Sequence, residues 1–145
     1  MAAAPQPSSD DLPSAELHAA FGEIDIYLFD QLLRGRFDRR RCILDAGCGS
    51  GRNLAYFLRR GFEVFGIDRD AAAIDYTREL AAALSALPPE NFVAGELDRL
   101  PWPDGSMDAV VCSAVLHFAA DEAHFAGMLR EMWRVLRPDG MLFAR

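Results

Sequence analysis

The sequence predicts an α/β fold, a doubly wound and mainly parallel sheet with helices on both faces and a helical extension at the N-terminal side. Three observations carry this. From residue 42 onward short apolar runs alternate with stretches of helical period, the pattern of strands joined by helical crossovers. The first run leads into a turn with three glycines at alternate positions, "ILDAGCGSGRN" (43–53), and a helical stretch follows. The second run ends on an acid, Asp68 in "VFGIDRD" (64–70), 21 residues after Gly47.

Taken in order, residues 1–13 are rich in Ala, Pro, Ser and Asp without periodicity, and are expected to form a mobile tail. Phe21, Ile24, Leu28 and Leu32 recur at spacings of three and four, predicting a helical segment over 14–40 whose helix runs from Ser14 to Gly35. The α/β domain then occupies 41–145. Its strands are expected at 42–46, 63–67, 92–94, 107–113 and 141–144, and its helices at 53–60, 71–87 and 121–136. Pro88 and Pro89 end the second of these helices. In the third, Phe125, Met128, Leu129, Met132 and Leu136 share one face.

Composition narrows the function. A length of 145 residues fits one domain, and the charged fraction of 26% beside 51% apolar residues is that of a globular chain. The net charge of −7 argues against a nucleic-acid partner, which would need clustered positive charge. The one basic run, Arg34 to Arg41, reads as a solvated connector. Cys42, Cys48 and Cys112 contain no CxxC pair, so neither a disulfide framework nor a metal site is expected, and a reducing cytoplasm fits. No secretory signal and no membrane span is expected either.

The glycine turn bares its backbone to a ligand, and a helix starting after it would offer unpaired N–H groups to an anion. It is not the dinucleotide pattern GxGxxG, because the third glycine, Gly51, comes one residue early and Arg52 stands in its place. No GK[ST] follows, which excludes a phosphate P-loop. Asp68 lies where an acid in such folds takes two ribose hydroxyls. A nucleoside without a pyrophosphate satisfies both observations, and S-adenosylmethionine is one.

Four stretches, "ILDAGCGSGRNLAYF", "VFGIDRD", "AGELDRLPWPDGSMDAVVCSAVLHF" and "LREMWRVLRPDGMLF", follow in the order and spacing of class I S-adenosylmethionine-dependent methyltransferases, and 42–145 resembles that Rossmann-like family. The resemblance implies that Asp45, Gly47, Cys48, Gly49 and Gly51 surround the methionine portion, with Asp45 reaching its ammonium. It implies that Asp68 holds the ribose, that Glu96 accepts from the adenine amino group, and that the backbone of Leu97 meets the ring. Ser113 would face the methionine end. Arg69 stands where many relatives place an apolar residue against adenine, and Glu96 where Asp is more frequent. The family also carries two further strands as a hairpin beyond the fifth. Their place in this sequence is empty, which suggests a trimmed fragment or a sheet edge covered by a homodimer.

Each residue has a plainer reading. The glycines suit any tight turn, Asp45 can cap the loop's own N–H groups, and Asp98 rivals Glu96 for the adenine contact. Asp68 can cap the following helix, although Asp70 is better placed for that. His117 is the candidate general base for an acceptor, with a packed histidine as its alternative. His18 and His124 read as helix-surface residues. Phe21, Tyr27 and Phe29 suit the core better than a lid, and Cys48 suits a filler better than a nucleophile. The expected function is methyl transfer from S-adenosylmethionine to a small molecule. The alternatives are a binding module without transfer activity and a nucleotide-dependent oxidoreductase.

Overall fold

The computed structural model describes residues 13–145, so the expectation of a tail falls almost entirely outside it. The strands are β1 (Cys42–Ala46), β2 (Glu63–Asp68), β3 (Phe92–Ala94), β4 (Met107–Cys112) and β5 (Leu136–Ala144). They form one sheet in the order β3-β2-β1-β4-β5, and every pair is parallel. The helices are α1 (Pro13–Phe21), α2 (Ile26–Leu33), α3 (Ala55–Arg59), α4 (Ala71–Leu84) and α5 (Glu122–Val135).

All five residues of β1 are buried, because this strand is central and both faces of the sheet are covered. Alternate residues feed two cores. Ile43, Val64, Ala109 and Val111 pack with Leu28, Phe57 and Ile74 on one face. Leu44, Ala46, Ile67, Val110 and Cys112 pack with Met128, Met132 and Val135 of α5 on the other. Strand order reverses between β1 and β4, and a cleft opens outside the carboxyl ends of strands at such a switch.

The helix expected from Ser14 to Gly35 is two helices. Gly22 takes a φ of +63° after α1, and the chain restarts where the carboxylate of Asp25 caps α2, accepting from the Tyr27 and Leu28 N–H groups. Phe21 packs edge-on against Phe29 (4.8 Å) and stacks on Tyr56 (5.2 Å), so both phenylalanines belong to the packing. The helix expected at 53–60 shrinks to five residues, with turns over 51–54. α4 stops three residues early, because the Ser85 hydroxyl donates to the Ala81 carbonyl and its backbone turns extended.

β5 starts five residues before the expected 141. Leu136 already pairs with Met107, then Arg137 to Gly140 bulge out, with Asp139 at a φ of +64°, and pairing resumes at Ala109 with Met141. α5 buries Met128, Met132 and Val135, whereas Phe125 of the expected apolar face is 40% exposed. Arg134 of α5 donates to Glu131, Asp104 and the carbonyls of Leu100 and Trp102, fastening the loop after β3 to the helix. This loop carries Glu96 and Leu97. Among the described residues no helix is long and apolar enough to cross a membrane.

Candidate active site

The glycine loop is pinned from below. Gly47 and Cys48 donate their N–H groups to the Ile67 carbonyl (2.8 and 3.0 Å), and Thr77 Oγ1 donates to the Gly49 carbonyl (2.8 Å). Gly47, Gly49 and Gly51 have φ values of +81°, +53° and +87°, which side-chain-bearing residues rarely adopt. A Cβ at Gly47 would lie 2.5 Å from Val115 Cγ2, while one at Gly49 would meet open space. The loop therefore runs tight against the segment after β4 at its start and bare at its middle. The helix expected to start at residue 53 begins only at Ala55, so turns over 51–54 separate the loop from it.

Asp68 ends β2 with both oxygens facing backbone donors. Gly49 N–H donates to Oδ2 and Asp70 N–H to Oδ1, each at 2.9 Å. Asp70 is the cap of α4, accepting from the Ala72 and Ala73 N–H groups. Asp68 is thus free of the capping role and keeps lone pairs for a ligand. It lines a cavity of about 230 Å³ together with Gly47, Arg69, Gly95, Glu96 and Leu97. The remaining walls are Val115, Phe118, His124 and Met128.

Asp45 is 1% exposed, and its Oδ2 has no hydrogen-bond partner among the described residues. Burial pushes its pKa up to about 7, against the pull of the Arg52 guanidinium and with a push from Asp68. A buried carboxylate left without a donor is costly unless a ligand supplies one. Cys48 turns its sulfur under the loop against Gly66, burial raises its thiol pKa, and it does not line the cavity.

Ser113 is not free. Its hydroxyl donates to Asp25 Oδ2 (2.8 Å) and accepts from Arg52 (3.2 Å). The same Asp25 oxygen accepts from Arg145 (2.6 Å) and lies 3.7 Å from Arg52, and the Asp25 side chain is wholly buried. Burial raises the Asp25 pKa, but the bonds from Ser113, the Tyr27 N–H and Arg145 outweigh it and hold the group below its ordinary value. Ala114, next in the chain, has a φ of +58°. Strain of this kind, costing about 1–3 kcal/mol, persists where surrounding contacts fix it and is common at functional sites.

His117 sits in a single 3₁₀ turn, exposed, its ring 4.1 Å from that of Phe118, and it does not line the cavity. His124, expected on a helix surface, does line it. Its Nδ1 accepts from the Ala120 N–H (3.0 Å) and its Nε2 is 3.9 Å from Asp98. The spacing of four between His124 and Met128 was the available sign that both face one way. The Asp25, Arg52 and Arg145 cluster had no such sign in the sequence.

Residues 44–144 match the model of a family described as a methyltransferase domain. The chain belongs to this family. Its class I, S-adenosylmethionine-dependent fold is the one described above. The chain is 31% identical over 100 residues to a malonyl-[acyl-carrier protein] O-methyltransferase of Serratia marcescens, covering 69% of this chain and 36% of that protein. It is 37% identical over 106 residues to a demethylmenaquinone methyltransferase of Deinococcus radiodurans, covering 70% and 41%. Among solved structures, a TehB-like SAM-dependent methyltransferase from Corynebacterium glutamicum superposes with a TM-score of 0.62 at 30% identity, covering 80% of this chain and 60% of that one. The chain thus spans well under half the length of these two curated relatives.

Proposed function

We propose that this chain binds S-adenosylmethionine along the carboxyl edge of its sheet and transfers the methyl group to a small-molecule acceptor. The observation that carries the reading is the buried, unpartnered Asp45 carboxylate beside a bare glycine loop, with Asp68 at the end of the neighbouring strand. Asp45 would take the ammonium, the backbone of Gly47, Cys48, Gly49 and Gly51 the methionine chain, and Asp68 the ribose hydroxyls. Arg69 would lie on the adenine face, Glu96 would accept from the amino group and the Leu97 backbone would meet the ring. Ser113 would close the methionine end through its bonds to Asp25 and Arg52.

When bound, the cofactor supplies a methyl carbon already activated by its sulfonium. What this chain's residues do is hold the acceptor in line with it and exclude water. Deprotonation of an acceptor by His117 is a separate proposal, tested by whether His117→Ala removes the acid-side limb of the pH–rate profile, where a required base becomes protonated. The net charge of −7 favours a small acceptor over nucleic acid, the three free buried cysteines fit a cytoplasmic setting, and a second copy would pair along the open β5 edge. A monomer by light scattering would count against that pairing. The limited span of the curated relatives favours one second reading, a binding module whose acceptor pocket is completed elsewhere.

Calorimetric titration of S-adenosylhomocysteine into wild type and Asp68→Ala tests the cofactor reading. Loss of hydrogen bonds to a charged group costs about 1.5–3 kcal/mol, so the variant should bind roughly ten- to a hundredfold more weakly. A folded wild-type chain that binds neither S-adenosylhomocysteine nor S-adenosylmethionine would overturn it.

A further inference from the structure

Adenine carries one donor, its 6-amino group, and three ring nitrogens, N1, N3 and N7, that only accept. A cavity that fixes the base in one orientation therefore needs donors as well as acceptors. The two carboxylates lining this cavity, Asp68 and Glu96, can only accept when ionised. Of the side chains that line it, only Arg69 and His124 can donate. Arg69 is exposed, and a guanidinium lying flat on the ring face does not reach the nitrogens at the ring edge.

His124 is placed differently. Its backbone N–H donates to Asp121 Oδ1 (2.7 Å) in the first turn of α5, and its Nδ1 accepts from the Ala120 N–H (3.0 Å). Backbone and ring are thus both fixed by neighbouring residues before any ligand enters, which lowers the ordering cost of binding. An accepting Nδ1 carries no proton, so the neutral imidazole holds its proton on Nε2. Asp98 Oδ2 stands 3.9 Å from Nε2, beyond hydrogen-bond reach, and no other described residue takes the Nε2–H. The side chain is 24% exposed, and Met128, one turn further along α5, lines the same cavity, so this helix face forms its wall.

We propose that His124 contacts the cofactor and sets its base specificity, donating Nε2–H to a ring nitrogen of the adenine whose amino group Glu96 takes. This rests on the cofactor reading above. The base is then held from two elements, the loop after β3 and the first turn of α5.

The probes are S-adenosylhomocysteine and its 1-deaza, 3-deaza and 7-deaza analogues, each with one ring nitrogen replaced by C–H, titrated by calorimetry into wild type, His124→Phe and His124→Gln. A neutral hydrogen bond corresponds to about three- to tenfold in affinity. His124→Phe should weaken S-adenosylhomocysteine by that factor, and the penalty for one analogue, measured against S-adenosylhomocysteine in the same variant, should vanish while the other two persist. His124→Gln, whose amide nitrogen also donates, should restore that penalty. A wall residue that only shapes the cavity would weaken all four ligands alike, and three unchanged penalties in His124→Phe would overturn the assignment while leaving the cofactor reading intact. Wild type alone supplies a second measurement, independent of whether His124→Phe folds. The Nε2–H proton of His124 should become protected from exchange with water, as seen by NMR, on adding S-adenosylhomocysteine but not on adding the matching analogue. Equal protection by all four ligands, or none by any, would also overturn it. A folded wild type that binds no S-adenosylhomocysteine would remove the cofactor reading and the assignment together.

Discussion

The two halves of the cleft are built differently. The half proposed for adenosine is open and local: Asp68 ends one strand with Arg69 just after it, Glu96 and Leu97 follow the next, and Glu96 and Arg69 are exposed. The half proposed for methionine is closed and assembled from afar. Asp25, Asp45 and Ser113 are 3%, 1% and 7% exposed, and Asp25 is joined to residues 28, 88 and 120 positions away. An open half can lose a contact and keep its shape. In the closed half the same groups that would face the ligand also hold the N-terminal helices on the sheet, so binding and stability are not separable there.

The largest effect that would sharpen this contrast is that of Asp25→Ala. The substitution removes the cap of α2 and leaves Arg145, Arg52 and Ser113 without their shared acceptor. Breaking a buried ion pair by removing one partner costs about 3–5 kcal/mol, which lowers the melting temperature of a domain this size by about 10 °C or more. No comparable loss should follow Arg69→Ala. Because the folded-state pKa of Asp25 is lowered, its contribution is full above the unfolded carboxylate pKa and is lost as pH falls through the folded value. Acid unfolding of wild type should therefore begin with release of α1 and α2, visible as early exposure of Tyr27, and equal melting of Asp25→Ala and wild type would break the contrast.

Asp45 gives a smaller effect of opposite sign. Its folded pKa of about 7 lies above the unfolded value near 4, so between those limits the native chain holds a proton that the unfolded chain has released. Unliganded stability should fall as pH rises from about 4 to about 7 and level off above. Asp45→Asn, which resembles the protonated acid, should remove that slope and stabilise the unliganded protein near neutrality by on the order of a few kcal/mol. Ligand binding should show the reverse. An ammonium needs the ionised carboxylate, so S-adenosylhomocysteine affinity should drop about tenfold per unit below pH 7 in wild type and be low and flat in Asp45→Asn. Melting curves and calorimetry over pH 5–8 check both, and a flat binding profile in wild type would take Asp45 away from the ammonium.

The same contrast explains what was legible in the sequence. The run of strands, the glycine turn and the cap of α4 follow from short motifs, since "GCGSG", Asp68 and Asp70 each act within a few residues of where they stand, and the choice of Asp70 as the cap needed only spacing. Asp25 looked like one acid among many because its partners lie on other elements and its role exists only after folding. Gly22 split a helix whose apolar spacing ran through it, since α2 is held by tertiary bonds from Asp25 that no periodicity records. His124 was misplaced for a related reason: a half-buried ring on an amphipathic helix looks like a surface residue until the opposite wall, here Val115 and Phe118, is known.

The smallest effect decides between two acids. Glu96 lines the cavity and is exposed, whereas Asp98 does not line it and stands 3.9 Å from His124. An exposed contact of this kind is worth about 1 kcal/mol, so Glu96→Gln should weaken S-adenosylhomocysteine about fivefold and Asp98→Asn should leave it unchanged. The sharper readout is base preference. A carboxylate only accepts, so the wild type should prefer adenosine, whose amino group donates, over inosine, whose carbonyl at that position does not. A glutamine can also donate, and Glu96→Gln should bring the two nucleosides level. If the preference instead disappears in Asp98→Asn, the adenine contact belongs to the acid beside His124, and the open half of the cleft is wired to α5 rather than to the loop after β3.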